Sequence, residues 1–166
     1  MAAAGHLRKH YRAPAILIGH SLGGTAVLAT ARDIPECTAV ATIGSPFDPR
    51  HVLGLIGNST QDIERDGEAQ VEIAGRAFRI KKQFLDDIQG HKLAETLARM
   101  GKALMVMHSP RDTIVDIDNA TKIFMAAKHP KSFVSLDPAD HLLSGREDAL
   151  YAGHVLAAWA ERYLPS

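Results

Sequence analysis

The sequence predicts an α/β fold: a parallel sheet of about four strands, covered by helices on both faces to make three layers, with a helical and hairpin lid inserted into it. Two patterns carry that prediction. Short apolar runs that read as buried strands alternate with segments of helical apolar spacing, and one long interval, 48–101, interrupts the alternation. With 166 residues, 46% of them hydrophobic, the chain has apolar material for one core, and 1–166 reads as a single domain.

Taken in order, residues 2–10 read as a helix, with Arg8 and Lys9 near its end and Pro14 just beyond. Ala15 to Gly19 is a short apolar run, read as a buried strand. GGTAVLATARDIP then reads as a helix stopped by Pro35. Val40 to Ile43 is a second strand, closed by Gly44, Ser45 and Pro46, and Ala103 to Met107 is a third, followed by the turn-rich SPRD. Asn119 to Lys128 reads as a helix with Asp118 or Asn119 as its N-cap. Ser132 to Leu136 makes a fourth strand. Glu147 to Tyr163 closes the chain as an amphipathic helix, with Val155, Leu156, Trp159 and Tyr163 at core spacing. Inside 48–101, VEI and FRI flank AGRA as in a β-hairpin, and helical spacing runs from Phe84 to Met100. An interval of about fifty residues is too long for a plain loop. It reads as a lid over the carboxyl ends of the strands, where open α/β sheets bind ligands.

Charge narrows the partners. The 19 basic and 19 acidic side chains cancel, so neither nucleic acid nor an anionic membrane surface is expected as a partner. Weak charge repulsion between copies makes self-association easy, and the homodimer expected here would form across an apolar edge at Ala15 to Ile18. A lone cysteine, Cys37, allows no intrachain disulfide and no Cys-rich metal site. That suits a reducing compartment, and Cys37 itself reads as a buried, inert thiol. The amino terminus carries charge where a signal peptide would carry its apolar stretch. No apolar run approaches the roughly 20 residues of a membrane span, so a cytoplasmic location is expected.

The chemistry is concentrated in Gly19-His20-Ser21-Leu22-Gly23, a G-x-S-x-G pattern that follows the strand AILI and opens a helix. A hydroxyl at such a strand-to-helix turn stands clear of the sheet edge, and the flanking glycines remove Cβ atoms that would clash across the turn. The N–H of Leu22 then points at the anion formed when a carbonyl is attacked, helped by the helix N-terminus. The competing reading is a glycine-rich turn with an incidental serine. A phosphate loop is disfavoured by the missing Walker spacing and lysine.

A serine needs a base, and the chain offers nine histidines. His6, His10, His51, His91 and His154 fall on predicted helices or in the insertion and read as surface or packing residues. His129 lies in a helix-ending KHP turn. His20 diverges from Ser21 at the tight turn, is a poor base and is assigned to the substrate-binding surface, while His108 lines the site at most. His141, in DPADHLL after the fourth strand, reaches the same sheet edge as Ser21 and is the expected base. Asp112, in HSPRDTIV after the third strand, is the expected partner that fixes its tautomer. Asp116 and Asp118 read as turn or cap residues of the next helix, and Asp140 points away from its neighbour. The order Ser21, Asp112, His141 is that of α/β-hydrolases.

On those residues the chain resembles the α/β-hydrolase superfamily. More narrowly, it is similar to the hydrolase part of bacterial fusion proteins that carry an OsmC-like domain at the carboxyl end. The stretches PAILIGHSLGGTAVLA, AVATIGSPFDPRHV, HSPRDTIVDIDNATKIF and HPKSFVSLDPADHLLS carry that likeness. It implies Ser21, Asp112 and His141 as a triad and an esterase-like activity. It also implies several strands before the nucleophile, including the one whose loop supplies a second oxyanion N–H. Here only residues 1–20 precede Ser21, so the chain reads as amino-terminally truncated, with Leu22 as its one oxyanion donor and an open edge at Ala15 to Ile18.

The expected reaction is acyl transfer from a small-molecule carboxylic ester to water. Leu53, Leu55 and Phe84, with Ile56 and Leu85, are the apolar candidates for substrate binding, or else core of the insertion. No metal or organic cofactor is expected. Rival readings are a non-catalytic fragment that folds and self-associates, and a cofactor-free haloperoxidase or C–C hydrolase on the same three residues.

Overall fold

The computed structural model describes residues 1–57, 59–73, 76–89 and 93–164. The chain divides into two compact units, the first made of Met1–Phe47 with Leu93–Ser166 and the second of Asp48–Lys92.

The first unit holds a four-stranded sheet of β1 (Ile16–His20), β2 (Ala39–Ile43), β5 (Ala103–His108) and β6 (Lys131–Ser135), in the order β1-β2-β5-β6. All three pairings are parallel. Its helices are α1 (Ala2–His10), α2 (Leu22–Thr30), α6 (Leu93–Ala98), α7 (Asp118–Ala126) and α8 (Arg146–Glu161). Side chains along a strand alternate between faces, and each face has its own core. Val40, Leu104 and Val106 join Leu28 of α2, Leu93 and Leu97 of α6 and Ile123 of α7. Ala41, Met105 and Met107 join Ala152, Val155, Leu156 and Trp159 of α8. The runs of β2 and β5 lack hydrophobic alternation because they are central and covered on both faces.

The three layers and the parallel sheet agree with the sequence reading, and strand limits agree to within a residue. Two local expectations fail. Neither Asp118 nor Asn119 caps α7: the N-cap position is Ile117, with no side-chain cap bond. The Asp116 carboxylate instead accepts the Asp118 N–H, and Asn119 Oδ1 accepts the N–H of Phe47. The inserted unit also ends before 101. Leu93, Leu97 and Met100 are buried in the sheet's own core. Helical spacing marks a helix with an apolar face, but not the core that face serves.

The second unit contains α3 (His51–Ile56), α4 (Ser59–Asp66), the antiparallel pair β3 (Glu68–Ile73) and β4 (Arg76–Lys81), and α5 (Lys82–Gln89). Ile56, Ile63, Val71 and Leu85 form its core, with Leu53 and Phe84 partly buried against it. Among the described residues no helix is long and apolar enough to cross a membrane.

Candidate active site

In a parallel sheet all carboxyl ends lie along one edge, and here the register aligns them closely. His20 pairs with Ile43, Ile43 with Met107, and Met107 with Val134. Whatever follows these residues is brought to one rim.

After β1 comes Ser21, at φ 52° and ψ −131°, a backbone region that L residues rarely occupy. Two main-chain bonds hold it: its N–H donates to the Ile43 carbonyl at 2.8 Å, and its carbonyl accepts from Gly24 N–H at 2.9 Å. Leu22 is the first residue of α2, so its N–H has no carbonyl one turn earlier to meet. The glycine requirement falls at Gly19 and Gly24, not at Gly23. A Cβ on Gly19 would overlap the backbone of Gly23 and Gly24, and one on Gly24 would overlap the side chain of Ser45. A Cβ on Gly23 would meet nothing within 4 Å. Gly19→Ala is therefore expected to cost about 1–3 kcal/mol through overpacking. Gly23→Ala should be neutral or stabilising by up to about 1 kcal/mol. Urea melts of the two variants check this.

After β2 comes Gly44, at φ +55°. A Cβ there would lie 3.1 Å from Asp112 Oδ2 and 3.3 Å from His141 Nδ1. The strand-closing glycine thus makes room for the next two groups, a role its sequence position did not reveal. The Pro46 carbonyl accepts the Thr25 hydroxyl at 2.6 Å, which ties this segment to α2.

After β5 comes the Asp112 loop. The Asp112 side chain is only 2% exposed. Its Oδ1 accepts the N–H groups of Ile114 and Val115, both at 2.9 Å. Its Oδ2 accepts from His141 Nδ1 at 2.7 Å. Burial pushes this carboxyl's pKa up, but the His141 hydrogen bond, the two backbone N–H groups and the histidine's charge together hold it below the usual range. Behind it lies His108, 0% exposed. Its Nε2–H donates to the Val115 carbonyl at 2.8 Å and lies 3.5 Å from Asp112 Oδ2, while its Nδ1 is buried without a partner. Val115 is thus held at its N–H by Asp112 and at its carbonyl by His108. Fully buried His108 backs the Asp112 loop and does not line the site; its burial at the end of a central strand was the available clue.

After β6 an irregular loop carries His141, which is 8% exposed. The carboxylate on Nδ1 requires that nitrogen to carry the proton. Nε2 is then left as an acceptor 3.1 Å from Ser21 Oγ. Asp140 turns elsewhere, accepting Ser144 N–H at 2.8 Å. Asp116 is engaged at the start of α7, as expected of a turn residue.

The remaining candidates separate. His20 donates from Nε2 to the His141 carbonyl at 2.7 Å. Leu53 and Phe84 pack within the second unit, as do Ile56 and Leu85. The side chain of Leu55 lies outside the described residues, and so does His91. His6, His10, His129 and His154 are exposed. Cys37 is buried, and that burial raises its thiol pKa, as an inert thiol requires. Among the described residues no cluster of His, Cys, Asp and Glu could hold a metal ion.

No family model and no curated protein matches this chain. Solved structures do. The esterase domain of a Rhodothermus marinus protein is 52% identical, with a TM-score of 0.85 over 98% of this chain and 67% of that one. Mouse alpha/beta hydrolase domain-containing protein 10 is 20% identical, with a TM-score of 0.72 over 97% of this chain and 67% of that one. Est1E from Butyrivibrio proteoclasticus is 18% identical, with a TM-score of 0.69 over 96% and 66%. The latter two share the fold alone, and in each comparison about a third of the other chain has no counterpart here. With a 52% identical esterase domain matching it along almost its whole length, and with a serine at a strained strand-to-helix turn on the matching sheet, this chain belongs to the α/β-hydrolase superfamily.

Proposed function

We propose that this chain hydrolyses carboxylic esters through Ser21, His141 and Asp112. One observation carries the proposal: a continuous line of hydrogen-bonding groups from Ser21 Oγ through both nitrogens of His141 to Asp112 Oδ2, at 3.1 and 2.7 Å. Ser21 gives its proton to His141 Nε2 as its oxygen attacks the ester carbonyl. The resulting oxyanion is met by the Leu22 N–H and the positive end of α2. Asp112, ionised because its pKa is held low, stabilises the imidazolium. His141 then returns the proton to the departing alcohol. A water, deprotonated by the same nitrogen, releases the acid and restores Ser21. An esterase domain as the 52% identical relative supports esters as the substrate class.

A fluorophosphonate probe followed by peptide mapping tests this directly. One adduct on Ser21 is the expected result. Folded protein that takes no adduct would overturn the proposal in favour of a non-catalytic fragment.

A homodimer is proposed as the working assembly. Strand β1 lies at the edge of the sheet, and Ile18 on it is 54% exposed. An apolar edge with unpaired backbone groups invites another strand. Light scattering at micromolar concentration is expected to give a dimeric mass for the native chain and a monomeric one for Ile18→Lys. A monomeric native chain sinks the idea.

A further inference from the structure

We propose that His20 is a positioning residue that clamps the backbone of His141, so that the nucleophile turn grips the base at two points. The inference rests on the reading of Ser21 and His141 as nucleophile and base. Its basis is the 2.7 Å bond from His20 Nε2–H to the His141 carbonyl, with the two rings 4.9 Å apart at 47°.

His141 needs such a hold. It sits between β6 and α8 in a stretch without regular structure. Asp112 fixes its ring at Nδ1, and Ala139 and Leu143 on either side pack into the core, but neither of these holds the carbonyl of His141 itself. His20 holds that carbonyl from the end of a strand. It is the last residue of β1 and is paired with Ile43 of the central strand β2.

The geometry follows from strand alternation. Leu17 packs into the core on the α2 face, which places Ile18 and then His20 on opposite and same-as-Ile18 sides in turn. His20 therefore faces the side of the sheet covered by α8, where the His141 loop arrives. Consecutive residues then divide the work: His20 holds the carbonyl of His141, and Ser21 meets its Nε2 at 3.1 Å. The distance between hydroxyl and base is set by a closed ring of bonds, not by the loop alone. A carbonyl only accepts, so the bond selects the Nε2–H form of His20.

Two variants, His20→Ala and His20→Gln, and two independent readouts test the inference. Hydrogen exchange followed by mass spectrometry reports the loop without requiring turnover. Its reporters are the amides of Ala139, Leu143 and Ser144, which are bonded within the loop to Leu136 and Asp140. His20→Ala is expected to speed their exchange while α8 and β5 stay unchanged. It should also slow fluorophosphonate labelling of Ser21 and lower kcat by about 10- to 100-fold, with KM altered less than about twofold. His20→Gln, whose amide can donate to the same carbonyl, should restore part of both.

Unchanged loop exchange in His20→Ala would overturn the inference. So would a raised KM at constant kcat, which would make His20 a substrate contact. If the native chain takes no probe at Ser21, the hydrolase reading fails, and loop exchange still decides the clamp by itself.

Discussion

Ser21→Ala is expected to reduce hydrolysis of a short-chain nitrophenyl ester by on the order of 10⁶-fold in kcat, the scale seen when the serine of a triad protease is removed. The size of the effect follows from the mechanism. Without the hydroxyl no acyl-enzyme can form, and His141 retains only the weak option of activating water directly. The fold should be unaffected, because Ser21 is held by main-chain bonds to Ile43 and Gly24 that alanine keeps. An unchanged melting curve beside lost turnover is therefore the full expected result. A variant that keeps more than about a tenth of the activity would place the nucleophile elsewhere.

Asp112→Asn is expected to lower kcat by about 10⁴-fold, again with the fold retained. The cause is the tautomer of His141. An asparagine can keep its oxygen toward the N–H groups of Ile114 and Val115, which accept no substitute donor. Its NH₂ then faces His141 Nδ1, where the carboxylate oxygen now lies at 2.7 Å. A donor there forces the proton onto Nε2, and Nε2–H cannot accept the proton of Ser21. Asp112→Ala should lose activity and also stability, because the buried Val115 N–H would lose the carboxylate that accepts it, at about 1–3 kcal/mol.

The low pKa of the Asp112 carboxyl adds a second signature. A carboxyl whose pKa is lower folded than unfolded contributes stability above its unfolded value, and that contribution disappears as pH falls through the folded one. Stability of the native chain should therefore decline on acidification more steeply than that of Asp112→Asn. Denaturant melts across the acid range measure the difference, and parallel curves would mean that Asp112 is not held ionised by its neighbours.

Much of this protein is local in origin, and the local part was legible in the residues. Apolar runs placed the four strands of the sheet to within a residue. The glycine-flanked serine between a strand and a helix marked the turn, and the residues after β5 and β6 named Asp112 and His141 as candidates. Parallel strands share one rim, so residues at successive carboxyl ends had to meet.

What the residues could not tell was which groups stand behind others, because that depends on contacts across long separations. His20 and His141 are 121 residues apart, and nothing in the neighbourhood of either names the other. The buried place of His108, the room that Gly44 leaves for Asp112 and His141, and the substitution of Gly24 for Gly23 as the tight position are settled by packing. So is the allegiance of α6, whose apolar face the sequence marked but whose core it did not. Periodicity and turn chemistry act over a few residues and therefore determined the elements and the candidate groups. Burial and hydrogen-bond partners are properties of the assembled sheet, and only the tertiary structure decided how those groups are held.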